Sequence, residues 1–158
     1  MPPPSRRLSL AIASVLAAAL LLVPKRRAMA AELDGYRWRS RVLLLFADGE
    51  NSALKRQREL LDVARPSLRE RDMAVLAVVG NGPVEALFGP EATAPGTPAP
   101  DAAALRRSFG VPAPSPFAAL LIGKDGGVKW RAERPAEPEE LFALIDTMPM
   151  RRDEMRRG

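Results

Sequence analysis

Two carboxylates and two small polar side chains, Asp48, Glu50, Asn51 and Ser52, follow directly on an apolar run, Val42 to Ala47 (VLLLFA). A carboxylate can act as general acid or base when a pocket holds it out of water. Asn51 and Ser52 are good helix-start residues, and the free amides of a helix start can hold an anion. Asp48 and Glu50 would repel such an anion unless protonated or bridged by a cation. The same residue types also cap helices and solvate turns, and that structural role is the plainer expectation. The chain has no cysteine and no histidine. Thiol nucleophiles, disulfide exchange, histidine bases, Ser-His-Asp hydrolysis and zinc sites built from Cys or His are therefore excluded. Carboxylates, lysines, tyrosine and hydroxyls remain, in no recognisable catalytic spacing, so no catalytic residue, cofactor or metal ligand is assigned.

These residues need elements to position them. Val42–Ala47, bounded by charge on one side and Asp48-Gly49 on the other, reads as a central strand covered on both faces. From Asn51 or Ser52 a helix follows, with Leu54, Leu61, Ala64 and Leu68 on one face, and Pro66 should end or kink it near Arg65. Met73 to Val79 (MAVLAVV), closed by Gly80-Asn81-Gly82, is a second buried strand, and the length of the connection favours a parallel pair. Gly82 to Pro116 is proline-rich, and Gly89 to Pro100 is expected to be a surface loop without regular structure. Asp101 caps a short helix carrying Leu105 and Phe109, stopped by Gly110. Phe117 to Ile122 and Val128 to Arg131 flank Gly123-Lys124-Asp125-Gly126-Gly127 and read as an antiparallel hairpin. Pro138 opens a last helix, carrying Leu141, Leu144, Ile145 and Met148, and Pro149 stops it.

The first 30 residues read as an export signal: Arg6 and Arg7, an apolar run from Leu8 to Val23, then Ala28-Met29-Ala30 before a cleavage point at Ala30/Ala31. Lys25-Arg26-Arg27 leaves an uncleaved N-terminal anchor as the alternative, although 16 apolar residues fall short of the about 20 that span a bilayer. The leader carries five basic residues and no acidic one; without it the chain has 19 of each, so the high overall pI is no argument for nucleic acid. The expected product is a single periplasmic or secreted domain, residues 31–158, stabilised by packing without disulfides.

Strand, helix, strand, helix, hairpin, helix is the order of a thioredoxin-like domain: an α/β fold with a mixed four-stranded sheet and helices on both faces. Leu105 to Val111 (LRRSFGV), a proline before a strand, and LLIGKDGGVKWR resemble the second half of thioredoxin and peroxiredoxin relatives. YRWRSRVLLLF (36–46), ERDMAVL (70–76), LIGKDGGVK (121–129) and LFALIDTMPMRRDEM (141–155) together resemble a bacterial exported domain of unknown function, number 4174 in its series, similar to a domain of some animal extracellular-matrix and sushi-repeat proteins. The resemblance covers nearly all of residues 33–156. It implies a thioredoxin-like fold and an exported location, with no established activity. It also implies that the redox pair of such folds would fall at about Glu50 and Ala53, neither of which can be a thiol, and that a cis proline faces that site, Pro116 first, with Pro112 and Pro114 competing.

Two further clusters invite a function. Tyr36-Arg37-Trp38-Arg39-Ser40-Arg41 alternates aromatic and basic residues, as a polyanion reader would, but the same pattern suits an exposed strand edge guarded by arginines. Arg151, Arg152, Arg156 and Arg157 form a basic C-terminal tail, for which solvated arginines and a core-packed Met148 are expected. The ranked readings are a binding module of the cell envelope using Asp48, Glu50, Asn51, Ser52 and Pro116; a non-thiol enzyme using Asp48 or Glu50; and a protein docking on anionic surfaces through its tail. The expected partner is a protein or small molecule in the envelope, with no nucleic acid and no membrane contact beyond an uncleaved leader or the tail.

Overall fold

A computed structural model describes residues 32–90 and 99–158. The leader, its cleavage point and positions 91–98 of the proline-rich segment lie outside the described residues. The order is β1 (Arg41–Ala47), α1 (Ser52–Val63), α2 (Arg65–Glu70), β2 (Met73–Val79), β3 (Val84–Phe88), α3 (Ala102–Phe109), β4 (Ala118–Ile122), β5 (Val128–Ala132), α4 (Pro138–Asp146) and α5 (Pro149–Arg157).

The fold is mixed α/β, with one five-stranded sheet in the order β3-β2-β1-β4-β5. β1 lies at its centre, parallel to β2 (Leu44 opposite Leu76) and antiparallel to β4 (Leu44 opposite Leu120). Period-two alternation sends successive residues of the central strands to opposite faces, and both faces are covered. Val42, Leu44 and Phe46 meet Leu105 and Phe109 of α3 on one side. Leu43, Leu45 and Ala47 meet Leu54 of α1, Leu68 of α2, and Leu141 and Ile145 of α4 on the other. Burial of each such leucine stabilises the fold by about 1.5–3 kcal/mol. The helix starts and stops follow local chemistry: Asn51 and Asp101 accept from Leu54 N–H and Ala104 N–H, and Gly110, at φ 62°, closes α3. At Pro66 the helix breaks: α1 ends at Val63, capped by Ala64, and α2 restarts with the proline in its first turn, where its missing N–H costs nothing.

Three expectations need correction. The sheet has five strands, not four, because Val84–Phe88 pairs antiparallel with β2 within the proline-rich segment Gly82 to Pro116, just before the loop expected from Gly89. Pro83 precedes the first residue of that edge strand, where it interrupts no ladder, so nearby prolines were a poor guide there. Pro149 ends nothing by itself: α4 stops at Asp146, and Pro149 opens α5 instead. The cis peptide bond is Ala113-Pro114, not Ser115-Pro116.

Candidate functional site

The Asp48–Ser52 turn leaves the carboxyl end of β1 and meets the loop that leads into β4. Asn51 joins the two: its Oδ1 accepts from Leu54 N at 2.9 Å, and its Nδ2 donates to Pro116 O at 2.6 Å. Asp48 makes the second tie, its Oδ1 accepting from Ser115 N at 2.5 Å. Asp48, Asn51 and Pro116 are thus brought together. Glu50 turns away toward α1 and β3, where it pairs with Arg58 at 2.9 Å, and Arg58 pairs in turn with Glu85 at 3.1 Å. Ser52 is exposed at the first position of α1. Among the described residues no three acidic groups converge as a metal-ion set.

Arg106 was missed by sequence reasoning and lies against the same junction. Its guanidinium is buried, donates from Nη1 to Pro112 O and from Nη2 to Ala47 O, both at 3.1 Å, and stands 5.4 Å from the centre of the Phe46 ring. Asp48 Oδ1 is 4.0 Å from Nη2, an ion pair without a hydrogen bond. One buried side chain therefore ties the end of β1 to the prolyl loop. The signal was present: position 106 is four residues after Ala102 and three before Phe109, on the buried stripe of α3. Beside Arg106 lies a depression of about 500 Å³, lined also by Asn81, Arg107, Val111, Pro112 and Ala113.

The other end of the sheet is an ionic cluster, and here two expectations fail. Arg41 does not guard an exposed edge; it is 1% exposed on the central strand. Arg151 is not a solvated tail residue either, because α5 folds back and buries it. Arg41 reaches Glu154 at 3.2 and 3.3 Å and donates to Arg71 O at 2.9 Å. Lys124 bridges Glu154 at 2.6 Å and Asp72 at 2.7 Å. Arg151 pairs with Glu70 at 2.5 Å and Asp146 at 3.2 Å, and Arg71 joins Asp146 at 2.7 Å. Burial pushes the Glu154 carboxyl up, but the hydrogen bonds and charges of Lys124 and Arg41 outweigh it and hold the group below the ordinary range. Asp146 is held low in the same way, against its burial, by Arg71 and Arg151. The exposed arginines of α5 are Arg152, Arg156 and Arg157.

Residues 32–154 match the family model described as domain of unknown function (DUF4174). Coiled-coil domain-containing protein 80 of Danio rerio is similar, 32% identical over 142 residues that cover 83% of this chain and 16% of that protein. The chain thus spans about one sixth of the length of that relative. No solved structure matches the chain.

Proposed function

The chain belongs to the DUF4174 family, and we propose that it is an exported, thioredoxin-like binding module of the cell envelope that works without thiol chemistry. The working surface is the turn at Asp48, Glu50, Asn51 and Ser52 with the loop at Pro116. The observation that carries this reading is the pair of ties from Asp48 to Ser115 N and from Asn51 to Pro116 O, which hold turn and loop as one fixed surface at the carboxyl end of β1. A parallel β1–β2 pair followed by an antiparallel β4–β5 hairpin supports the thioredoxin-like assignment, with β3 as an added edge strand. Such surfaces bind because a rigid scaffold presents loop residues at little ordering cost.

The enzymatic alternative draws less support, since Asp48 already accepts a backbone N–H and Glu50 faces Arg58. Docking on anionic surfaces through the C-terminus is weakened by the inward turn of Arg151. The test is a photo-crosslinker placed at Ser52, with Val63 as an exposed control, in cells whose envelope fraction is recovered. A partner captured from position 52 and not from position 63, on a chain whose N-terminus is Ala31, is the expected result. Equal capture at both positions, or a chain recovered from the cytoplasm with Leu8 retained, overturns the reading.

A further inference from the structure

We propose that the depression beside Arg106 and Arg107 binds a small organic oxyanion, a carboxylate or phosphate group carried on an apolar body. The inference rests on the reading of this end of the sheet as a binding surface and names the ligand chemistry that the surface takes. Its first support is position. The depression lies beyond the carboxyl ends of the parallel strands β1 and β2, between Asn81 after β2 and the prolyl loop, where open α/β sheets most often place their ligands.

Charge is the second support. Arg106 and Arg107 line the depression, and Arg131 reaches the end of α3 that borders it. Among the described residues the carboxylate that pairs with Arg106 is Asp48, at 4.0 Å. The carbonyl end of a helix would ordinarily repel an anion. Here those carbonyls are covered: Arg107 O accepts from Gly110 N at 3.3 Å, Arg106 O from Val111 N at 2.9 Å, and Phe109 O and Gly110 O accept from the Arg131 guanidinium. Three arginines, Arg106, Arg107 and Arg131, thus stand at this helix end.

The third support is an unspent donor. Arg106 is 6% exposed, its Nη1 and Nη2 are engaged with Pro112 O and Ala47 O, and its Nε has no hydrogen-bond partner among the described residues. A buried N–H without an acceptor is unfavourable, so a ligand oxygen that reached this nitrogen would relieve it. Arg107 is exposed and pairs with no acceptor among the described residues. Val111, Pro112 and Ala113 give the remaining wall an apolar character. A volume of about 500 Å³ falls within the roughly 300–1,000 Å³ typical of small-molecule sites.

The experiment is a titration of the full-length, isotope-labelled chain, followed by amide chemical shifts, with hexanoate, hexyl phosphate, inorganic phosphate and hexanol as separate probes. Saturable shifts at Asn81, Arg107, Val111 and Ala113 with hexanoate or hexyl phosphate, and none with hexanol, are expected. The stronger of the two acids identifies the head group, and inorganic phosphate alone reads what the apolar body adds. Arg107→Gln should weaken binding about tenfold, the equivalent of one charge-assisted hydrogen bond. Asp48→Asn should strengthen it by removing the opposing charge, and Lys129→Gln, on β5, should leave it unchanged. Shifts that scale only with ionic strength, equal binding of hexanol, or no response to Arg107→Gln would overturn the site. An anion bound together with equal capture at Ser52 and Val63 would sink the module reading and leave this site standing; capture from Ser52 alone with no anion bound would do the reverse.

Discussion

Glu154→Gln tests whether charge, not packing, holds the C-terminal helix. Arg151 is the buried residue of α5, so the helix has little apolar area to lose, whereas Glu154 contacts both Arg41 and Lys124. Removing one member of a fully buried ion pair costs about 3–5 kcal/mol, and an exposed pair contributes about 0–1 kcal/mol. Arg41 is 1% exposed and Glu154 27% by side chain, so the pair falls between these limits. Lys124 keeps Asp72, and glutamine can still accept one hydrogen bond, which moves the expected loss at neutral pH to about 2 kcal/mol. The sign with pH follows from the carboxyl being held below its ordinary value of 4.5. Its contribution is complete above that value and is lost as pH falls through the lower, folded-state value. Urea unfolding of wild type and variant, followed between about pH 7 and pH 3, should thus show two curves that converge in acid, with unchanged m-values. A gap that stays constant across that range, or one under about 0.5 kcal/mol at neutral pH, would refute the ionic account.

Gln57 is fully buried and exchanges two hydrogen bonds with the Ala136 backbone, at 3.0 and 2.7 Å; Gln57→Leu should cost about 2–4 kcal/mol in chemical denaturation by orphaning that amide and carbonyl. Asn51→Ala removes both the α1 cap and the tie to Pro116 and should cost about 1–2 kcal/mol, while Asn51→Asp keeps the cap and should recover most of it in the same assay. Gly89 has φ 89°, and a Cβ there would strike Met73 O and stand 2.8 Å from Ala74 Cα; Gly89→Ala should lower the melting temperature by several degrees, since both the backbone conformation and the space are closed to a side chain.

The central strand was plain from VLLLFA, and so were the two covered faces, because a continuous apolar run has no solvated side to assign. The hairpin at Lys124 and the caps at Asn51 and Asp101 were equally legible, being local chemistry. β3 was not, since Val84–Phe88 is short, half-exposed and flanked by proline, and only pairing with β2 makes it a strand. Arg41 and Arg151 were read as surface residues for a different reason. Their burial depends on counter-charges at Glu154 and Glu70, and nothing local announces a partner 113 or 81 residues away. Of the candidate site, the meeting of the Asp48–Ser52 turn with Pro116 was expected from resemblance, while Arg106 needed the helix stripe to be taken at face value despite its charge.

The long reach from Arg41 to Glu154 bears on how the polypeptide acquires its shape. The carboxylate that neutralises the guanidinium of β1 stands 113 residues further along the chain, so the charge is answered only once α5 has docked against the central strand. Until then the middle ribbon of the sheet carries an unanswered positive charge that favours hydration over closure. Closure of the sheet and docking of α5 are therefore coupled: each supplies the charge that the other needs.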